Sequence, residues 1–239
     1  MDINLATGNL WQKFDDNFVK TFPLIKKLNI QGIEITTAFS DLAAVKFSKD
    51  DLKWLKSLKR VSVHAPFGYE HIKNDKKLVS KKVLQTNDLY NKVNAETLVV
   101  HANEQSFIRE ITKKTDMHIS IEHMEPHKSV NLTKFASLLR KYPQAGVCMD
   151  VSHNYSWGID ETAKMINKFK DRISEVHFSG TRNKVTHRAV SLAPKNFFKS
   201  IKPLKDLDTP IVIEEDMGLN NLTWIRKEIK FIKDTLNFL

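Results

Sequence analysis

Cysteine is nearly missing from this sequence: Cys148 is alone among 239 residues, which excludes an internal disulfide framework. It sits in the apolar run AGVCMDV, where a thiol is expected to be buried and inert. Such sparing use of cysteine suits a reducing cytoplasm. Glycine is scarce too, with seven residues. No glycine cradle for phosphate is therefore expected, and the turn TGNL is too poor in glycine for a dinucleotide-binding fingerprint. No apolar stretch approaches the roughly 18 residues that cross a membrane. The opening MDINLATGNLWQKF shows neither a basic leader nor an apolar segment of signal length. A cytoplasmic protein without a membrane partner is the expectation.

Acidic residues are in deficit: 28 Asp and Glu against 38 Lys and Arg leave a formal charge of +10. An excess of that sign would suit a nucleic-acid partner. The lysines gather, however, in NDKKLVSKKVL, INKFKDR and RKEIKFIKD, which read as solvated faces of outer helices.

What is present is an ordinary globular balance, 41% hydrophobic and 28% charged, enough for a large core. Eight short apolar runs recur: DINLAT, GIEIT, RVSVHAP, ETLVVHAN, HISIEHM, AGVCMDV, ISEVHFS and PIVIEED. Their starts, at Asp2, Gly32, Arg60, Glu96, His118, Ala145, Ile173 and Pro210, are roughly 22 to 37 residues apart, the length of one strand and one returning helix. Amphipathic stretches such as DLKWLKSLK, KLVSKKVLQTNDLYNKV, LTKFASLLRKY and ETAKMINKF fill the intervals, the last with Asp160 as its expected N-cap. Pro23 is expected to kink or split the helical segment that follows the first strand. Runs that are apolar throughout imply strands covered on both faces, as in a parallel sheet. The pattern predicts a single-domain α/β protein, a (β/α)8 TIM barrel over residues 1–239, with no strand left over and SGTRNKVTHRAV as a loop.

In such barrels the chemistry lies where strands end at the C-terminal mouth. Six consecutive runs end there in metal-ligand residue types: His64, His101, Glu122, Asp150, His177 and Glu214. Singly, each has a plain alternative as a hydrogen-bonded core histidine or a capping acid. Together they would be uncompensated without a cation among them. Imidazole and carboxylate suit zinc, manganese or iron better than calcium or magnesium alone. His153 and His187 form a second tier. Arg182, Lys184 and Arg188 share a loop with no acid, which suggests an anionic substrate. Glu34 is a candidate substrate contact from the barrel interior. His71, His118, His123 and His127 read as structural, and Glu215 as an outward-facing salt-bridge residue.

The motifs VSVHAPF, LVVHANE, SIEHM, GVCMDVSHNYSWGID, VHFSGT, THRAV and IVIEE resemble the xylose-isomerase-like TIM-barrel superfamily (AP endonuclease family 2), which joins endonuclease IV with sugar isomerases and epimerases. The endonuclease IV resemblance implies one metal on His64, His101 and Glu122. A second would lie on Asp150, His177 and Glu214 with Glu122 bridging, and a third on His153, His187 and an Asp two residues earlier, where this chain has Val185. Phe67 falls where that nuclease has an aromatic that helps distort DNA. The isomerase resemblance implies a single divalent metal on Glu122, Asp150, His177 and Glu214. The catalytic pair Glu122 and Glu214 would then move protons beside a polarised carbonyl, through an enediol-like intermediate. The first reading implies zinc and abasic-site DNA; the second implies manganese, magnesium or cobalt and a sugar or sugar phosphate. The extra histidines His64, His101, His153 and His187 place phosphoester hydrolysis slightly ahead of isomerisation, with a non-catalytic ligand-binding barrel last. Against the nuclease, the loops after strands two, three and seven are short, and SLAPKNF stands where a glycine-rich turn is expected after THRAV.

Overall fold

The eight apolar runs become eight parallel strands: β1 (Ile3–Ala6), β2 (Gly32–Thr36), β3 (Arg60–His64), β4 (Thr97–His101), β5 (Ile119–Glu122), β6 (Gly146–Asp150), β7 (Ile173–Phe178) and β10 (Ile211–Ile213). They close in sequence order, β10 pairing with both β7 and β1. The computed structural model describes residues 2–14, 17–38, 42–67, 75–128, 130–218 and 221–239; His71 lies outside them.

Side chains alternate across each strand, and the two faces differ in chemistry. Ile33, Ile35, Val61, Val63, Leu98, Val100, Ile121, Val147, Met149, Val176 and Ile213 join the apolar core between strands and helices. The interior face instead presents buried polar groups, among them Asn4, Glu34, Ser62, His64, Ser120, Glu122, Asp150, Glu175 and His177. Arg60 enters this interior from the opposite end, bonding Glu175 at 3.4 Å and Thr97 at 3.1 Å. Cys148 is also fully buried, and burial drives its thiol well above the ordinary range. It lies beside Glu175 and His177.

The outer layer follows the amphipathic pattern. Helix Lys76–Val93 buries Val79, Val83, Leu89 and Val93, and helix Leu222–Asn237 buries Ile225, Ile229, Ile232 and Leu236. No helix among the described residues is long and apolar enough to cross a membrane. Between β1 and β2 the chain is broken into short turns, with Pro23 in the first turn of Phe22–Ile25.

Three expectations change. SGTRNKVTHRAV is not a loop but an antiparallel hairpin, β8 (Gly180–Arg182) and β9 (Val185–Arg188). Its tight turn is formed by Asn183 and Lys184 at φ 52° and 65°, the left-handed pair that such hairpins need. Gly180 lets its base close, since a Cβ there would lie 2.5 Å from the Ala189 carbonyl oxygen. Asp160 precedes helix Glu161–Phe169, but its own backbone is already helical and its side chain caps nothing. Glu215 faces outward, as its place beside Glu214 requires, yet it makes no salt bridge among the described residues. It is buried and accepts the Val190 amide at 2.9 Å, while neighbouring Glu228 accepts both the amide and hydroxyl of Ser191.

Burial, with the Glu228 charge adding to it, pushes the Glu215 carboxyl well above its ordinary value of 4.5. The folded chain therefore holds a proton that the unfolded chain has released, so stability falls as pH rises from that value towards the folded one. Glu215→Gln keeps the acceptor and cannot ionise. Its melting temperature is expected to decline less than the parent's between about pH 5 and about pH 8; parallel melting curves across that interval would contradict the assignment.

Candidate metal centre

Glu122, ending β5, is the hub of the mouth. Its Oε2 lies 3.2 Å from His64 Nε2 and 3.4 Å from His101 Nε2, and its Oε1 3.2 Å from His153 Nδ1 and 3.6 Å from His177 Nδ1. Parallel register places these ends side by side, with His101 opposite Glu122 and Asp150 opposite His177. Phe67 stacks on His101 with ring centres 5.0 Å apart and meets His64 edge-on.

Asp150 does two jobs with one oxygen. Its Oδ1 accepts the His153 amide at 2.7 Å and the Ser152 hydroxyl at 2.8 Å, capping helix Val151–Trp157. Its Oδ2 is buried with no hydrogen-bond partner among the described residues, as are His177 Nδ1 and Glu214 Oε2. The last two lie 2.8 Å apart but are not aligned for a hydrogen bond. Buried polar atoms left unpaired need an explanation. One ligand atom from each of Glu122, Asp150, His177 and Glu214 lies within 4.8 Å of every other. Three carboxylates and one imidazole turned on a common point fit a divalent cation with a preference for oxygen ligands.

The charges agree with that reading. Burial alone would raise Glu122, but the nearby His101 and His177 and the contact with His153 hold it well below the carboxylate range. Glu214, likewise buried, is brought down to about 2 by His177 and His187. Burial disfavours a charged His177, yet Cys148, Glu34, Glu214 and Glu122 hold it well above its usual value. Burial takes His101 down to about 3. A cation entering this set displaces protons from imidazole, so uptake strengthens as pH rises.

Glu34 lies on the interior face, but wholly buried beneath the mouth, where it receives the His177 Nε2 hydrogen at 3.1 Å. It therefore orients His177, leaving Nδ1 for the centre, in the way outer carboxylates position metal-binding histidines. Burial raises Glu34 to about 7 against the pull of His177.

A cavity of about 620 Å³ opens over the centre, lined by Phe67, His101, Glu122, His153, His187 and Glu214 among others. Arg182 and Arg188 do not line it. They border a different cavity with Trp224, and Arg188 pairs with Asp216. Lys184 lines a neighbouring cavity of about 930 Å³. Thr181 and Thr186 border this side and the two arginines the other; Thr186 and Arg188, two apart on β9, part because the hairpin's register shifts and His187 between them is left-handed. Lys128 is the one lysine or arginine lining the mouth cavity among the described residues, and the sequence pattern did not single it out. Glu125 was missed as well, although it stands three residues after Glu122 in EHME. His118 is exposed, His127 is exposed at the cavity rim, and His123 points to the helices, bonded to Asn154 at 2.9 Å.

No family model and no curated protein matches the chain. Solved structures match it over nearly the whole length. A D-tagatose 3-epimerase-like protein is 17% identical, with TM-score 0.70, covering 100% of this chain and 98% of that one. The D-allulose 3-epimerase from Methylomonas sp. in complex with D-allulose is 15% identical, with TM-score 0.70 and coverages of 98% and 97%. A xylose isomerase domain containing protein from Salmonella typhimurium LT2 is 16% identical, with TM-score 0.66 and coverages of 98% and 96%. The protein has the fold of the xylose-isomerase-like TIM barrels.

Proposed function

We propose that the protein is a metal-dependent sugar isomerase or epimerase. The observation that carries this reading is the convergence of Glu122, Asp150, His177 and Glu214, with three buried atoms unpartnered among the described residues, beside a cavity that Glu122 and Glu214 line. A divalent metal bound there would polarise a sugar carbonyl and make the neighbouring C–H acidic. Glu122 and Glu214 both line the cavity and are ionised at neutral pH, as a proton acceptor must be. They approach from β5 and from the end of β10, on two sides of His177. One would take the proton from carbon to leave an enediol or enediolate of the substrate, and the other, having drawn a proton from solvent, would deliver it to carbon.

The similarity to structures named as D-allulose and D-tagatose-type epimerases supports sugar chemistry over the phosphoester hydrolysis that the extra histidines suggested. So does the charge at the mouth. A DNA backbone would want cations flanking the metals, and Arg182 and Arg188 turn away while Lys128 remains.

The test is isotopic. Manganese-loaded protein incubated in D2O with a panel of ketoses, aldoses and their phosphates is expected to place one deuterium beside the carbonyl of the product, and a chelator should stop it. Absence of exchange on the whole panel, with chelator-sensitive nicking of a duplex holding one abasic site, would transfer the assignment to hydrolysis.

A further inference from the structure

On the footing of the sugar chemistry proposed above, we infer that the substrate is a ketose carrying a second sugar, and that the groove beside the mouth holds that second ring. The groove, of about 930 Å³, lies between the end of helix Val151–Trp157, the hairpin and the loop after β5. Glu125 and His127 line both it and the mouth cavity, so the two spaces share a wall. That wall is thin. Glu122 Oε1 lies 3.2 Å from His153 Nδ1, and His153 Nε2 lies 3.4 Å from Glu125 Oε1, so one imidazole spans from the reacting carboxylate to the divide. The Thr186 hydroxyl donates to Glu125 at 3.2 Å and joins the wall to the hairpin. On β9 Thr186 borders the groove and its neighbour His187 the mouth. A molecule with its carbonyl over the centre needs one more ring to enter the groove.

Small-molecule sites occupy about 300–1,000 Å³, so the mouth cavity of about 620 Å³ already suffices for a hexose. The groove is room beyond it, and its lining suits a polyhydroxylated ring. Thr181, Asn183, Thr186 and Asn196 bring hydroxyls and amides that both donate and accept. Tyr155, Ile159 and Val185 bring apolar surface. A sugar ring has these same two characters, hydroxyls at its rim and C–H groups on its faces, and the faces pack on an aromatic ring. Tyr155 is a firm platform for that contact. It meets the fully buried Phe197 in a T-shaped pair with ring centres 5.6 Å apart.

Other occupants fit less well. A phosphate chain would want basic lining, and Lys184 is the one lysine or arginine bordering the groove among the described residues. A hydrocarbon tail would leave the amides and hydroxyls without partners. Contacts to the second ring, remote from the reacting carbon, would hold the first ring over the centre.

Equilibrium binding tests the groove apart from the chemistry. Manganese-loaded protein is titrated in a calorimeter with D-fructose and with turanose, lactulose and isomaltulose, fructose-ended disaccharides whose second ring hangs from three different carbons. At least one of them is expected to bind about tenfold tighter than fructose, or about 1.4 kcal/mol. Asn196 and Ser156 are exposed and line the groove. Asn196→Trp and Ser156→Trp should each fill it and erase that advantage, while fructose affinity stays within about twofold of the parent's; the retained fructose binding reports that the variants fold. Disaccharides that all bind no tighter than fructose, or an advantage that survives both substitutions, would overturn the second-ring site. Deuterium exchange in the same samples keeps the two readings apart. Exchange without a disaccharide advantage removes the groove and leaves the isomerase; a disaccharide advantage without exchange keeps the groove and removes the isomerase.

Discussion

Glu122→Gln is expected to lower kcat by about 10³-fold or more, the combined loss of a proton-transfer group and a ligand. The same change should destabilise the metal-free protein. Glu122 is the carboxylate that His64, His101, His153 and His177 all approach. His64 is driven to about 9, because its hydrogen bond to Glu122 and the nearby carboxylates outweigh burial. Glutamine leaves the buried, positively charged His64 and His177 without this counter-charge, and breaking a buried pair from one side costs about 3–5 kcal/mol. Chemical denaturation of the metal-free variant against the parent measures it. Native turnover would remove Glu122 from the centre; unchanged stability would disprove the charge balance.

Asp150 allows two of its roles to be separated. In Asp150→Asn the amide oxygen can still accept from the His153 amide and Ser152, so stability should stay within about 0.5 kcal/mol of the parent, while turnover falls by at least about 10²-fold for want of the anionic Oδ2. In Asp150→Ala the cap of helix Val151–Trp157 is lost as well, at about 1 to 2 kcal/mol, and His153 loses its anchor. Equal stability of the two variants would show that the cap contributes nothing. Full activity in Asp150→Asn would exclude the free oxygen from the chemistry.

The barrel was legible because strands covered on both sides are written as continuous apolar runs, and because the last inward residue of six of them is a histidine or an acid. What escaped had no period to announce it. The hairpin Gly180–Arg188 has strands of three and four residues and an Asn183–Lys184 turn without glycine. Which way Arg182 and Arg188 face depends on that hairpin, so their place could not be read from a supposed loop. Glu125 lies beyond the end of β5, where alternation no longer says which way a side chain points. Asp160 failed as a cap because a residue type alone does not set the φ and ψ that a cap requires.

The polar interior joins the two ends of the barrel. From Arg60 through Glu175, then His177 and Glu34, charged groups run in near contact, with Glu175 and His177 3.8 Å apart. In most such barrels the end away from the mouth serves stability alone. Here the foundation is wired to the machinery above it, so an engineer who replaces Arg60 to firm up the base is also adjusting the electrical setting of the chemistry at the top.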